Sequence, residues 1–282
     1  MKLSNKQVVL AILGGCSAPL LAHADGVSQY LQDRTHIQLG GFRPNIDSGI
    51  SIHGSNGRIG DDLDMESDLG MSDNKTSPWL GLSYRFADKH RVGLSYFGLN
   101  RSAGTTLQRD FNLGDQTYTA GLDSNSTLDI NVTVLDYQYL FSRSDRHEAH
   151  VSFGLHRVGV ETSVEAAASI GNSNGAGGSR SMETTARSVY APLPVLGVGG
   201  IYALGDNWAV KGGLRYFGLD IDNIDGSLGA ADVSLQYHPW RHVGLTLGYA
   251  FDRLDFDLEK EKWSGSARYD FKGVTFGLIG HF

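Results

Sequence analysis

Two pairs of carboxylates, Asp220/Asp222 and Asp255/Asp257, stand two residues apart. On an extended chain such a pair shares one face. Paired aspartates suit hydrolytic chemistry if a histidine stands opposite them, and His53 is the one histidine expected at their end of the fold. A serine hydrolase would instead need a serine nucleophile, a histidine base within hydrogen-bond reach and an acid to orient it. His53-Gly-Ser55-Asn56 comes nearest to that set, and His150-Val-Ser152 has the spacing without an obvious acid. The run Asp61, Asp62, Asp64, Glu66, Asp68 and Asp73 offers oxygen ligands of the kind Ca²⁺ takes. It has no EF-hand spacing, so a solvated acidic loop is the simpler expectation. Seven histidines (His36, His90, His147, His150, His238, His242 and His281) crowd the other end. Five of them flank expected turns, which points to interfacial residues rather than metal ligands. No cofactor is implied.

Composition narrows the setting of this chemistry. The chain has 282 residues, 37 of them Gly, with 40% hydrophobic residues and one Cys. A mean hydropathy of -0.22 and the lack of a long apolar run beyond the N-terminus exclude a helical membrane protein. A single cysteine excludes a disulfide scaffold, and a net charge of -7 argues against a nucleic-acid partner. Lys2 and Lys6 precede the apolar run Val8–Leu13, and Ala22-His23-Ala24 is a small-residue cleavage pattern. Residues 1–24 are therefore expected to be a secretory signal peptide, leaving 25–282 as the mature domain with a charge of -9. A second reading stays open, because Leu13-Gly14-Gly15-Cys16 resembles a lipoprotein cleavage box.

From Thr35 onward the dominant pattern is alternation with period 2, broken by short polar turns, which means β-strands. Four hairpins turn at Ala87–His90, Ser142–His147, Gly205–Asn207 and His238–Arg241. With a strand before them (35–53) and one after (264–282), ten strands are expected. Segments 54–76, 102–125 and 165–186 are long and polar, and the last is low-complexity. Short turns at one end and long loops at the other describe a transmembrane antiparallel up-and-down β-barrel, all-β, with periplasmic turns and extracellular loops. Leu63, Met65, Leu69 and Met71 would let the acidic loop fold back on the barrel mouth or into it. Tyr84, Phe86, Tyr137, Tyr139, Trp208 and Trp240 gather at the short-turn end, where a girdle belongs. Near Phe42–Ile46, Tyr216–Leu219 and Tyr249–Leu258 the apolar series changes phase. A β-bulge would do this; so would a strand whose upper part stands clear of the membrane.

The chain ends Val274-Thr-Phe276-Gly-Leu278-Ile-Gly280-His-Phe282. This alternation before a terminal Phe resembles the C-terminal strand signature of bacterial outer-membrane barrels, which the assembly machinery reads. The chain is similar to small outer-membrane proteins of the OmpW and OmpA-barrel kind over nearly its whole mature length. The resemblance implies a monomer in a Gram-negative outer membrane, with outer-membrane lipid, lipopolysaccharide and the barrel assembly machinery as partners, the last through Phe282. Paired aspartates on a ten-stranded barrel also resemble the omptin proteases, but the Asp-His couple of that family is missing near them. The His-x-Ser-Asn pattern of lipid A deacylases is absent as well. Arg85, Asp136, Lys211, Arg215 and Asp232, with His156, fall on the expected inward face. In a narrow barrel they form either a salt-bridge network or a polar path for small solutes. A non-enzymatic structural or surface role is expected, with a narrow channel as its variant. An OmpW-like pore for small apolar molecules is the alternative, and a barrel enzyme acting on lipid or surface peptide comes behind it. Loop 165–186 would serve adhesion.

Overall fold

A computed structural model describes residues 29–53, 61–113, 116–170, 178–221, 224–260 and 263–282. The signal segment and Cys16 lie outside the described residues, as do Gly54–Asn56 of the His-Gly-Ser-Asn run. Ten long strands form the wall: β1 (Thr35–His53), β3 (Ser77–Ala87), β4 (His90–Thr106), β7 (Asp123–Arg143), β8 (His147–Ile170), β9 (Gly178–Ala203), β10 (Trp208–Ile221), β11 (Ile224–Tyr237), β12 (Val243–Lys260) and β13 (Trp263–His281). Each pairs antiparallel with its neighbour, and β13 pairs with β1 from His36↔His281 to His53↔Ser264, so the sheet closes into a ten-stranded barrel. At that seam the backbones come close. A Cβ added to Gly273 would lie 2.1 Å from the Arg43 carbonyl oxygen, so only glycine fits there.

Three short strands and one helical turn stand apart from the wall. Strand β2 (Asp62–Asp64) pairs with Gly49–Ser51 of β1, and β5 (Phe111–Leu113) pairs with β6 (Gln116–Tyr118). The turn α1 (Gln29–Gln32) precedes β1. The four predicted hairpins close at the short-turn end as expected. At the other end, residues 165–170 and 178–184 continue β8 and β9 and are paired across the sheet. The long loop expected over 165–186 is therefore mostly strand, because the Ala-, Ser- and Thr-rich sequence still supplies backbone partners on both sides. Residues 171–177 lie outside the described residues.

The phase changes have a specific cause. Pairing runs without a register shift through Phe42–Ile46, Tyr216–Leu219 and Tyr249–Leu258, so no bulge lies at these sites. The shifts fall elsewhere, at Arg85/Ala87, Leu140/Ser142 and Thr162/Val164. What changes is the environment on each side of the wall. In the lower part of β12 the odd residues Leu245, Leu247, Tyr249 and Phe251 are exposed outward. Above them the odd residues Arg253, Asp255 and Asp257 continue outward, and Leu254 points inward to a buried core. Strand β1 does the same, with Leu39 exposed below and Phe42, Ile46 and Ile50 buried above. The lower barrel is apolar outside and polar inside, and the upper barrel is the reverse. Alternation fixes which residues share a face, and the solvent on each face decides which residue types belong there.

Candidate functional site

The upper lumen is filled. Leu63, Met65, Leu69 and Met71 of the acidic loop are all buried, with Met65 and Leu69 at 0% exposure. They pack against Phe42, Ile46, Leu99, Leu128, Tyr269 and Phe271 of the wall. Fully burying such side chains contributes about 1.5–3 kcal/mol each. Polar contacts fix the loop. Arg101, 1% exposed, is ion-paired to Glu66, donates from Nη2 to Ser48 Oγ at 2.6 Å and from Nη1 to the Ser72 carbonyl at 3.1 Å. Ser48 in turn donates from its backbone N–H and its hydroxyl to Glu66 at 2.9 and 2.8 Å. Arg109 holds Asp68 at 2.6 and 2.8 Å, and that guanidinium keeps the Asp68 carboxyl below its usual range. Asp61 accepts from the Asn112 N–H at 2.7 Å, tying the loop to the β5–β6 hairpin. In that hairpin Phe111 and Tyr118 stack at 5.0 Å, and burial pushes the Tyr118 phenol up to about 12. Of the six acids expected to make a solvated loop, Asp62, Asp64 and Asp73 are exposed, whereas Glu66 and Asp68 are paired to Arg101 and Arg109. Asp47, Asp64 and Glu66 do bring ligand atoms within 4.8 Å of one another, with Asp47 and Asp64 exposed.

The short-turn end is covered by α1. Tyr30 and Leu31 are buried against Ala203 and Ala209, and the Tyr30 ring stacks flat on His238 at 4.0 Å. Inward-facing arginines bind its backbone. Arg85 donates to the carbonyls of Gln32 and Asp33, the latter at 3.2 Å, and Arg143 donates to the Gln32 side chain at 2.7 Å. Buried Glu148 pairs with Arg91 and, at 3.2 Å, with Arg143. Sequence reasoning missed this floor, because four residues are too few to show a period. The apolar pair Tyr30-Leu31 before a polar strand start was its only signal.

Between roof and floor lies a chamber of about 460 Å³. Its lining includes Asp136, Lys211, Arg215, Asp232 and His156 of the sequence-expected inward set, with Asp252 added. Arg215 donates to Asp232 at 3.0 Å, and Gln138 donates to Asp136 at 2.7 Å. Lys211 lies deep in the barrel among Asp136, Asp232 and Arg215, and no hydrogen bond or close ion pair holds it among the described residues. Arg85 belongs to the floor instead.

Among the described residues, no hydrogen bond joins the candidates for hydrolytic chemistry to one another. Asp255 accepts from Arg268 at 2.9 Å, on the outward face with Asp257. Asp220 is paired by backbone register with Asp225, and Asp222 lies outside the described residues. The side chain of His53 is also outside them. His150 and Ser152 both line the chamber, and no hydrogen bond joins them. Phe282 stands at the seam, where its carbonyl accepts the Arg34 and Thr35 N–H groups at 2.8 Å.

No family model matches the chain, and no curated protein matches it. Among solved structures it is similar to the outer membrane protease OmpT from Escherichia coli, with 13% identity over 88% of this chain and 97% of that one and a TM-score of 0.55. It is also similar, at a TM-score of 0.34, to the Pseudomonas putida toluene transporter TodX, with 10% identity over 90% and 91% of the two chains. The attachment invasion locus protein Ail of Yersinia pestis follows at a TM-score of 0.25, with 11% identity over 86% and 99%. The likeness to OmpT is one of fold. The chain has the closed antiparallel barrel of an outer-membrane protein.

Proposed function

We propose that this chain resides in a Gram-negative outer membrane as a surface-exposed structural barrel that works without catalysis and keeps its lumen closed at rest. The observation that carries this reading is the pair of closures: Met65 and Leu69 seal one end and Tyr30 and Leu31 the other. The belt of exposed Leu, Val, Tyr and Phe on the lower wall supports immersion in lipid, since so large an apolar surface is untenable in water. The short-turn end then faces the periplasm and the charged upper wall stands outside the cell. The outward, arginine-paired Asp255 supports a non-enzymatic role. Planar-bilayer conductance of the folded protein tests the reading. It should be silent, and discrete reproducible steps would overturn it.

The chamber favours a second reading, a narrow route for small polar solutes. Lys211, which has no hydrogen bond or close ion pair among the described residues, faces carboxylates across a space large enough for a small polar molecule. On this reading Lys211, Arg215 and Asp136 set selectivity once a closure is displaced. Conductance that appears only when α1 is released, and that changes its ion preference in Lys211→Met, would support it.

A further inference from the structure

We infer that Asp33, His242 and His281 form a binding site for one divalent transition-metal ion of the zinc class, which fastens the floor of the barrel to its closing strand. Ligand atoms of the three residues all lie within 4.8 Å of one another. They come from three separate places: the residue after α1, the turn between β11 and β12, and the end of β13. Two imidazoles and a carboxylate suit zinc, nickel or copper and leave a fourth position for water. They do not suit Mg²⁺ or Ca²⁺, which take mostly oxygen.

The surroundings orient these groups. His281 is 1% exposed, and its Nδ1–H donates to Asp33 Oδ2 at 2.6 Å. Its Nε2 meets His238 Nδ1 at 3.3 Å, and His238 Nε2 reaches Gln236 Oε1 at 3.4 Å. An ion takes the place of the proton between His281 Nδ1 and Asp33. The Nε2 proton of His281 is then donated to His238, whose own Nε2–H goes to Gln236. That chain sets ring orientation and tautomer together, as outer partners of metal-bound histidines do. His242 is held by its Nδ1–H, donated to the His281 carbonyl at 3.0 Å. A Cβ on Gly244 would lie 2.6 Å from His238 Nδ1, so glycine leaves room for the chain of rings. A tetrahedral site separates ligand atoms by ~3.3 Å, so only small side-chain rotations are needed.

The test uses the full, folded chain in detergent, titrated with ZnCl₂ against a chromophoric chelator, with MgCl₂ as control. One equivalent of zinc should bind and raise the melting temperature, and magnesium should do neither. Asp33→Asn and His242→Ala, both away from the strand interiors, should each weaken binding ~10-fold or more and abolish the thermal shift. The double variant His90→Ala/His147→Ala, at half-buried histidines beside two other turns, should bind as the parent does. The inference is overturned if the folded parent binds no stoichiometric zinc. It is equally overturned if Asp33→Asn and His242→Ala bind unchanged, or if binding is lost in the His90/His147 variant.

Discussion

Arg101 and Glu66, thirty-five residues apart, form an ion pair inside the barrel wall, and Ser48 binds both partners. The pair joins β4 to the loop that closes the mouth. Removing one partner of a buried pair leaves a desolvated charge and costs about 3–5 kcal/mol. Arg101→Met is therefore expected to lower the unfolding free energy obtained from urea titration by that order. It should also open the segment 61–76 to protease added to intact cells. A variant as stable and as resistant as the parent would remove the pair from its role as anchor.

The apolar side of the same closure has its own cost. Leu69 is fully buried among wall residues, and Leu→Ala substitutions in such sites destabilise by about 2–5 kcal/mol. In Leu69→Ala the loss should appear as a lower melting temperature on heated gels, with the barrel still assembled.

Acid should loosen the roof. The Asp68 carboxyl is held below its ordinary value of 3.8, first by the hydrogen bond from Arg109. A carboxyl depressed by folding adds stability that is fully present above that value and is lost as the pH falls through the depressed one. Proteolysis of the segment 61–73 by an acid-active protease should rise as the pH drops below about 4, and Asp68→Asn should lose that dependence.

At the other end, Leu31→Asp would place a carboxylate in the apolar contact with Ala203 and Ala209. An unpaired buried charge is not tolerated, so α1 should leave the floor. Bilayer recordings of this variant should show discrete openings where the parent is silent, and identical silence would mean that the roof alone closes the lumen.

Deleting Phe282 should reduce the amount of folded barrel in the membrane fraction, measured by the heat-dependent gel shift. The residue joins the seam through its carbonyl and stacks on His242 at 5.3 Å.

Much of this architecture was readable from residue order. Hairpins such as Val198–Leu204 with Trp208–Tyr216 declare themselves, because period-2 alternation and a short polar turn suffice. The apolar residues between the acids of 61–73 pointed to a loop turned inward, and Leu63 and Met71 lie there. The phase change at Phe251–Leu254 was equally visible, but alternation cannot say which face is the interior. A bulge and a change of solvent therefore looked alike. Arg101 escaped notice because it adjoins a stretch expected to be loop, though it shares parity with buried Leu99. Crowded histidines at one end were evident in the letters. Their gathering around Asp33 needed the barrel to close, since Asp33 and His281 are 248 residues apart.

The exchange of apolar and polar faces partway up β1 and β12 bears on pairing fidelity. A strand that slipped by one residue against its neighbour would turn every side chain to the opposite face. In β12 the slip would send Leu247 and Tyr249 into the polar chamber and bring Arg253 and Asp255 into the hydrophobic interior. Such a strand is thus proofread twice, once by hydrocarbon and once by its own core, and a misaligned pairing is penalised at both heights together.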